Sequence, residues 1–319
     1  MKIGFDFMGG DYAPSETIAG VHQFFQQDVD PSVHLVLIGD LKAAASYLSV
    51  LEPFQGRYTL VDAPETIGMH EHPTKALKEK QNSSIAIGFG MLQMQKIDAF
   101  CSAGNTGAMM VGAMYTVKNI EGILRPTIAS PIPRADGKWN LLLDVGINAD
   151  CKPENLVQFA QLGSLYMQKV YGVENPKVGL LNIGEEEGKG NILCQATYPL
   201  LNSVEGLNFV GNIEGRDVFK YKAEVVVCEG FVGNVLLKTA ESIYDIFRVE
   251  RKVDDELLDT YNFEVYGGTP ILGINKPVVI GHGVSHALAF KNMLNVAARI
   301  VDADLMNVFK AHFAQPITE

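Results

Sequence analysis

The sequence predicts an α/β fold of three layers, in which helices cover both faces of a largely parallel, doubly wound sheet. Short apolar runs that are typical of buried strands alternate with longer segments whose apolar residues recur at helical spacing. Turns rich in glycine and asparagine follow most of the runs. No internal repeat or linker interrupts this alternation. Residues 1–319 are therefore interpreted as one domain, with any division into two lobes near residues 121–125 or 254–268.

Each element is predicted from its own residues, and Pro14, for example, suits the first turn of a helix. Strands are predicted at residues 2–6, 33–38, 58–61, 97–101, 127–130, 141–145, 178–181, 207–210, 224–228 and 278–280. Helices are predicted at residues 14–27, 41–51, 74–95, 108–117, 154–171, from 192 onward, 235–247 and 285–311, with a short exposed helix within 249–263.

Charge and cysteine content exclude several classes of protein. The chain has a net charge of −11, which argues against a surface for nucleic acid. Its four cysteines are scattered without paired spacing, which predicts neither a zinc site nor a disulfide framework and suits a reducing compartment. The sequence shows no apolar run of about 18 residues and no charged-then-apolar leader. We therefore expect a cytoplasmic protein without a metal or cofactor, and peripheral attachment to a membrane stays open.

The stretch from Val178 to Asn191 combines an apolar run, a polar turn and the start of a helix. In an open α/β sheet, ligands bind at the carboxyl ends of the strands. Glycines allow backbone N–H groups to approach a ligand, and a helix N-terminus favours an anion. The turn is therefore a candidate anion site. The alternative is an ordinary loop with a solvated acidic bulge, because three glutamates in the turn would repel an anion unless they point away.

The same arrangement of a strand followed by a polar turn recurs seven times, and we expect most of these turns to border one pocket. Parallel strands place such turns at one edge of a sheet, and asparagine offers both a donor and an acceptor. The candidate binding residues in these turns are Asp6, Gly9, Gly10, Asp11, Gly104, Thr106, Gly107, Asp144, Asn148, Asn182, Gly184, Glu185, Gly190, Asn191, Asn212, Glu214, Arg216 and Asn234.

Several further residues allow both a functional and a structural interpretation. Ser83 and Ser84, on the predicted helix at 74–95, are candidate phosphate ligands or a close packing point. His282, between two glycines, is either catalytic or a structural hydrogen-bonded histidine. Arg216 is either an anion clamp or part of an ion pair. No turn fits a nucleotide-binding fingerprint, so neither a nicotinamide nor an ATP site is indicated.

Taken together, the turns resemble those of the bacterial phosphate acyltransferases of phospholipid synthesis (PlsX). The matching motifs are M-G-G-D at 8–11, S-A-G-N-T-G-A at 102–108, L-L-D-V-G-I-N at 142–148, L-L-N-I-G-E-E at 180–186, K-G-N at 189–191, G-N-I-E-G-R-D at 211–217 and C-E-G-F-V-G-N at 228–234. The resemblance covers residues 2–241 and resumes at 266–268. The segment at 248–263 is shorter than its counterpart in that family, which is linked to membrane contact.

The resemblance implies an isopropylmalate-dehydrogenase-like fold and the transfer of an acyl group from acyl carrier protein to inorganic phosphate. It further implies a homodimer, peripheral contact with the inner face of the membrane, and a glycerol-3-phosphate acyltransferase acting downstream. On this hypothesis the catalytic residues are Asn105, Lys189 and His282, with Lys189 as the counter-charge of phosphate. The alternatives are an acyl-CoA donor, a decarboxylating dehydrogenase of the same fold, and a non-catalytic scaffold that binds lipid or carrier protein.

Overall fold

The computed structural model describes residues 1–314. Its strands are β1 (Lys2–Asp6), β2 (His34–Gly39), β3 (Tyr58–Asp62), β4 (Ala99–Ser102), β5 (Thr127–Pro133), β6 (Trp139–Leu143), β7 (Val178–Asn182), β8 (Phe209–Glu214), β9 (Val225–Val227), β10 (Thr269–Leu272) and β11 (Val278–Ile280). Its α-helices are α1 (Ser15–Gln26), α2 (Leu41–Leu48), α3 (Pro73–Glu79), α4 (Ser84–Gln93), α5 (Thr106–Gly112), α6 (Pro153–Tyr171), α7 (Ile192–Ser203), α8 (Gly230–Ile243), α9 (Glu256–Asp259), α10 (Phe263–Tyr266), α11 (Ala287–Asp302) and α12 (Leu305–Phe313).

The chain divides into two compact units. Unit 1 comprises Met1–Asn119 and Glu264–Met306, and unit 2 comprises Ile120–Phe263 with the described residues from Asn307 onward. Each unit contains a mostly parallel sheet, which confirms the predicted α/β class. In the described residues, no helix is both long and apolar enough to span a bilayer.

The strands of unit 1 lie in the order β3-β2-β1-β4-β11-β10, and only β10 runs antiparallel to its neighbour. Helices cover both faces of this sheet. On one face Phe5 of β1 meets Phe290 of α11 edge-on, with ring centroids 5.9 Å apart. On the other face Phe100 of β4 meets Phe89 of α4 at 5.2 Å. Gly88 makes this second contact possible, because a Cβ there would lie 2.2 Å from the Phe100 ring.

The strands of unit 2 lie in the order β5-β6-β9-β7-β8, with β5 antiparallel to β6 and the others parallel. Helix α6 packs closely on this sheet, because Gly163 leaves room for Leu143 and Val225. The carboxyl ends of β6, β9, β7 and β8 are neighbours, and so are those of β1, β4 and β11 in unit 1. Within each unit, the polar turns therefore follow adjacent strand ends, as the sequence predicts.

Two long helices predicted from the sequence are each divided in the structure. The prediction of one continuous helix at 74–95 is wrong, because two shorter helices, α3 and α4, occupy this segment. Ser83 caps α4, because its Oγ accepts from the Ala86 N–H at 3.3 Å and donates to the Lys80 carbonyl at 2.7 Å. The helix expected at 285–311 is likewise interrupted between α11 and α12, where Asp304 adopts a φ of +48°. Local side-chain and backbone geometry overrides the helical periodicity at both points.

Other element boundaries also differ from the prediction. Strand β8 extends to Glu214, so Asn212 and Glu214 lie on the strand rather than in the turn that follows. Strand β10 was not predicted from the sequence. Within 249–263 only α9 is helical throughout, while a π-helix at Tyr244–Glu250 continues the direction of α8. Pairing with a neighbouring strand extends β8, which a run of apolar residues alone cannot reveal.

Candidate functional site

A buried carboxylate organises the polar turns of unit 1. Asp6, at the end of β1, accepts from the Ser102 hydroxyl at 2.7 Å and from the Met8 N–H at 2.9 Å. The Ser102 oxygen in turn accepts from the Gly104 N–H at 2.9 Å. Burial raises the pKa of Asp6, although hydrogen bonds from Ser102 and Ser84 oppose that shift. The carboxyl group therefore orients the two turns that begin at the ends of β1 and β4.

The turns after β1 and β4 approach each other so closely that only glycine fits at position 9. A Cβ on Gly9 would lie 2.6 Å from the Gly104 nitrogen and 2.8 Å from the Asp6 carboxylate. Gly10 has a φ of +111°, which side chains disfavour. The Asp11 N–H donates to the Gly283 carbonyl at 2.7 Å, which joins this turn to the turn that follows β11.

The side chain of Asn105 holds the loop at residues 66–71. Its Nδ2 donates to the carbonyls of Gly68, Met69 and Glu71 at 2.9, 3.2 and 3.1 Å. Its Oδ1 accepts from the Ala108 N–H at 2.9 Å and so caps α5. The amide group is therefore used within the protein, and any contact of Asn105 with substrate would come from its backbone.

Lys80 holds the same loop from its other side. Its ammonium donates to the Glu71 carboxylate at 2.5 Å and to the Thr66 carbonyl at 2.8 Å. The Glu71 carboxylate also accepts from the Gly68 N–H at 2.6 Å. The hydrogen bond from Lys80 lowers the pKa of Glu71. The contact removes Lys80 from the lysines that could face a substrate.

The turns and this loop enclose a small hollow of about 140 Å³ in unit 1. Its lining is Asp6, Met8, Gly9, Gly10, Thr66, Ile67, Gly68, Met69, Ser84, Ile85 and Gly104. No lysine or arginine among residues 1–314 contributes to this lining. Asp6 is the one ionisable side chain in this lining, so the hollow offers an anion backbone N–H groups and hydroxyls rather than a cationic side chain. His282 lies half-buried after β11, and its carbonyl accepts from the Ser285 N–H at 3.1 Å.

A second buried carboxylate has the same role in unit 2. Asp144, at the end of β6, accepts from the Asn148 N–H at 2.7 Å and from the Asn148 side chain at 2.9 Å. It also accepts from the Ile128 N–H at 3.1 Å. The Asn148 side chain donates again to the Pro126 carbonyl at 2.8 Å. Gly233 makes the closest approach to this turn, since a Cβ there would lie 1.9 Å from the Asp144 carbonyl.

The turn after β7 presents Lys189 to solvent. The Asn182 Nδ2 donates to the Lys189 carbonyl at 3.1 Å. Gly190 has a φ of +93°, and a Cβ there would lie 2.2 Å from the Asn182 Oδ1. The ammonium of Lys189 has no hydrogen bond or ion pair within residues 1–314. Lys189 is therefore an available cation at the end of β7.

The glutamate closest to the start of this turn is neutralised by a lysine. Glu185 accepts from the Lys222 ammonium at 2.7 Å, and Lys222 also bonds Asp217 at 3.0 Å. The hydrogen bond that Lys222 donates to Glu185 raises the pKa of Lys222. Burial alone would raise the pKa of Asp217, but Lys222 holds it below its ordinary value. Glu185 is thus engaged by Lys222, while the other two glutamates of the turn, Glu186 and Glu187, are exposed.

Glu185, Glu214 and Asp217 form the one cluster in residues 1–314 whose carboxylate oxygens lie close enough to hold a metal ion, within 4.8 Å of one another. Cationic side chains already lie among these oxygens. Lys222 bonds two of the three carboxylates, and Arg216 forms an ion pair with Glu214. Lys222 and Arg216 therefore neutralise the cluster. Of the two roles considered for Arg216, the structure shows an ion pair, with Glu214.

The N-termini of α7 and α8 are capped by side chains of different charge. Glu229 caps α8, where its carboxylate accepts from the N–H groups of Phe231 and Val232 at 2.6 and 3.1 Å. Asn191 caps α7 with a neutral amide, which accepts from the Cys194 N–H at 2.9 Å. The N–H groups of Ile192 and Leu193 have no acceptor within residues 1–314. The positive end of α7 is thus free for an anion, while that of α8 already binds one.

A groove of about 680 Å³ runs beside the start of α7. Its lining is Ala149, Asp150, Cys151, Asn191, Ile192, Leu193, Glu229 and Phe231. Ile192 and Phe231 are 87% and 66% exposed, unusually high values for apolar side chains. Burial raises the pKa of the Cys151 thiol to about 12. A thiol in that state is a poor nucleophile, since the thiolate is the reactive form.

The predicted site residues therefore fall into two sets. In unit 1 the structure brings together the turns at 6–11, 102–107 and 281–285, with Ser84 beside them and Ser83 as a helix cap. In unit 2 it brings together those at 144–148, 182–191, 211–217 and 229–234, where Asn234 bonds the Val145 carbonyl at 3.1 Å. That most of the seven turns border one pocket stays a prediction. Ser102, Glu229 and Lys222 were missed, because their roles depend on partners distant in sequence.

Comparison with known proteins identifies close relatives along nearly the whole chain. The sequence pattern of the family described as fatty acid synthesis protein matches residues 1–308. A phosphate acyltransferase from Dictyoglomus thermophilum is 42% identical over 96% of this chain and 95% of its own length. One from Desulforamulus reducens is 43% identical over 97% and 96%, respectively.

Among solved structures, the fold is similar to a phosphotransacetylase from Staphylococcus aureus. The TM-score is 0.62 at 16% identity, and the match covers 95% of this chain and 94% of the other. A 4-hydroxythreonine-4-phosphate dehydrogenase from Klebsiella pneumoniae matches with a TM-score of 0.55 at 11% identity, over 94% of this chain and 99% of the other. At these identities the likeness shows the fold alone.

The Lys80–Glu71 ion pair predicts a pH-dependent contribution to stability. Because the pKa of Glu71 is lowered in the folded protein, the pair stabilises the fold above the ordinary glutamate value of about 4.3. That contribution is lost as pH falls through the lowered pKa. We expect Glu71→Gln to have a lower Tm than wild type at pH 7, and the difference to shrink as pH falls below the ordinary glutamate pKa. Glu79→Gln is the matched control, and a constant difference for Glu71→Gln would contradict the assignment.

Proposed function

The chain belongs to the fatty acid synthesis protein family, which matches nearly its whole length, and on that premise we propose that it makes acyl phosphate from acyl-[acyl-carrier protein] and inorganic phosphate. It is an acyltransferase with phosphate as the acyl acceptor, as its curated relatives are named. The identity of the thioester donor, the site residues and the assembly are the parts proposed here.

The reaction requires few side-chain steps, because phosphate is already an anionic nucleophile at neutral pH. A phosphate oxygen attacks the thioester carbonyl, and a tetrahedral intermediate forms. The C–S bond then breaks, the acyl phosphate is released, and the proton of hydrogen phosphate passes to the thiol of the carrier. The protein has to hold phosphate, place the thioester beside it and stabilise the oxyanion. Positioning can contribute ~7–11 kcal/mol, and each oxyanion donor ~3–4 kcal/mol.

One observation carries the assignment of phosphate to the turn after β7. An unpaired ammonium, that of Lys189, belongs to the same turn as the free N–H groups of Ile192 and Leu193, and the cap of their helix is neutral. A phosphate there would gain a charge-assisted hydrogen bond and the favourable end of α7. We assign Lys189 as the phosphate counter-charge. Roles for His282 and for the backbone of Asn105 and Gly104 toward the thioester carbonyl remain predictions.

The groove beside α7 suits the first part of a long acyl chain. It continues from Asn191 along Ile192, Leu193 and Phe231. Removal of these apolar side chains from water by a bound acyl chain is energetically favourable. Each methylene removed from water contributes ~0.8 kcal/mol. The exposure of Ile192 and Phe231 is accounted for if substrate covers these side chains during the reaction.

Two lysines of α3 are proposed to attract the acidic carrier protein. Lys75 and Lys78 are exposed on neighbouring positions of one helix face. Lys75 lies 4.0 Å from Glu79, a distance at which its charge remains largely available. Lys80, the C-cap residue of α3, is engaged with Glu71 instead. Because the net charge is −11, such a local patch is needed for electrostatic attraction.

Assembly and localisation are also proposed from surface features. Exposed Ile246, Phe247, Val249 and Val253 lie close in sequence to Arg251 and Lys252, a combination suited to the surface of an anionic bilayer, while Arg248 is paired with Asp254 and Asp259. We propose a cytoplasmic homodimer that contacts the membrane here and passes acyl phosphate to a glycerol-3-phosphate acyltransferase. Light scattering tests the dimer, and failure of wild type to sediment with anionic vesicles would remove the membrane contact. Membranes that acylate glycerol 3-phosphate only when this enzyme operates would support the transfer.

The central experiment supplies the purified protein with phosphate and either acyl-[acyl-carrier protein] or acyl-CoA, and traps acyl phosphate as the hydroxamate with hydroxylamine. We expect the carrier-protein donor to give the higher kcat/KM. Equal or better use of acyl-CoA would favour the alternative donor. If neither donor gives acyl phosphate, the result would favour the non-catalytic scaffold. Reduction of a nicotinamide would instead indicate a dehydrogenase.

Replacing Lys189 by methionine removes the proposed counter-charge while keeping most of the side-chain volume. We expect kcat/KM for phosphate to fall about a hundredfold, as for the loss of one oxyanion-stabilising donor, with no change in Tm. Lys220→Met is the control, since Lys220 is exposed in the same unit. Wild-type activity in Lys189→Met would remove this lysine from the mechanism.

Shortening Phe231 tests the acyl groove. Phe231→Ala removes apolar contact with the chain, so we expect activity on palmitoyl donors to fall about tenfold and activity on butyryl donors to remain unchanged. Phe247→Ala, a similarly exposed phenylalanine of the same unit, is the matched control. An equal loss on both chain lengths would place the acyl chain elsewhere.

Reversing the charges of α3 tests the carrier-protein surface. The double variant Lys75→Glu, Lys78→Glu is expected to raise the KM for acyl-[acyl-carrier protein] at least fivefold, with a weaker effect at high salt. Its kinetics with phosphate should be unchanged. A KM that does not depend on these charges would locate the docking surface on another part of the protein.

A further inference from the structure

Gln195, which belongs to none of the sequence motifs, binds the residues on both sides of Lys189. Gln195 lies in the first turn of α7, and its Nε2 donates to the carbonyls of Gly188 and Gly190, each at 3.0 Å. These are the residues immediately before and after Lys189. A single side-chain amide therefore holds the carbonyls of the two residues on either side of the proposed counter-charge.

Two asparagines complete the arrangement. Asn182, at the end of β7, donates to the Lys189 carbonyl at 3.1 Å, and Asn212, on β8, donates to the Glu186 carbonyl at 2.9 Å. Four carbonyls of the turn are thus bound by side-chain amides. The C=O and N–H of a planar trans peptide point in opposite directions. Holding the Lys189 and Gly190 carbonyls toward these amides directs the Gly190 and Asn191 N–H groups away from them, while the Lys189 N–H donates to the Glu186 carbonyl at 3.0 Å.

We propose that Gln195 is a positioning residue for phosphate, which sets the direction of the Lys189 side chain and of the Asn191 N–H group. The inference deepens the proposed function and rests on its assignment of Lys189. Gln195 itself does not touch the reacting atoms, since its Nε2 hydrogens are directed to the two carbonyls. The turn needs such support because Gly184, Gly188 and Gly190 give its backbone many alternative conformations.

Gln195 is well suited to a test, because its loss has little reason to unfold the protein. The side chain is exposed, and its two bonds are to the turn rather than to the core. Methionine has a similar length and helix propensity but no donor. Gln168→Met is the matched control, since Gln168 lies on α6 of the same unit and its Nε2 reaches only Ser164, at 3.3 Å.

The experiment compares Gln195→Met, Lys189→Met and the double variant in steady-state assays with phosphate and the thioester donor varied in turn. For Gln195→Met we expect kcat/KM for phosphate to fall about tenfold, since two neutral hydrogen bonds are lost. The KM for the thioester and the Tm should stay at the wild-type values, as they should in Gln168→Met. Because Gln195 acts through Lys189, adding Gln195→Met to Lys189→Met should lower the remaining activity less than twofold.

Several results would overturn the proposal. Wild-type phosphate kinetics in Gln195→Met would show that the two bonds do not position Lys189. An equal loss toward both substrates, or a lower Tm, would assign Gln195 to general stability. A tenfold effect persisting in the double variant would show that Gln195 acts independently of Lys189. If Lys189→Met itself keeps full activity, the phosphate assignment fails, and this outcome is distinguishable because it does not depend on Gln195.

Discussion

Buried carboxylates at the ends of central strands are the constraint on which the polar turns of both units depend. Asp6 and Asp144 are almost fully buried, at 1% and 0% exposure, and each is surrounded by N–H, hydroxyl or amide donors from the turns. A carboxylate can be buried only when such donors compensate for lost hydration. Each donor must therefore be in place, which fixes the path of the turn that carries it.

Asparagine side chains also hold the polar turns in place. Asn105, Asn148, Asn182 and Asn212 all donate to backbone carbonyls of nearby turns. The sequence predicts these residues as candidates for substrate contact, and in the structure their Nδ2 groups hold loops. Backbone N–H groups, the Lys189 ammonium and side-chain oxygens such as Asn212 Oδ1 and Ser285 Oγ remain without a partner within residues 1–314. A site made in this way gains rigidity from its side chains and polarity from its main chain.

Charge distribution distinguishes the turns more clearly than their composition does. The turns after β7 and β9 both begin a helix and both contain glutamate and asparagine. In one, Glu229 places a carboxylate on the N-terminus of α8. In the other, a neutral asparagine caps α7 while Lys222 draws Glu185 aside. The second turn is therefore the better place for an anion, although the sequences alone make the two look equivalent.

The sequence by itself determined the α/β class, the order of most strands and the position of the polar turns, because buried strands and glycine-rich turns depend on local composition. It also determined the family, through motifs spread over 2–241. It did not determine where the helices at 74–95 and 285–311 divide, or that β8 includes Asn212 and Glu214. Capping by Ser83 and the backbone conformation of Asp304 override helical periodicity at those points, and pairing with β7 extends the strand.

Only the tertiary structure decided which polar groups are engaged and which are free. Lys80 and Lys189 look alike in sequence. Lys80 forms an ion pair with Glu71, whereas the Lys189 ammonium has no acceptor within residues 1–314. Gln195, Lys222 and Ser102 acquire their roles from residues brought near them by the fold. The physical reason is that a hydrogen bond or ion pair depends on distance in space, whereas a motif records only distance along the chain.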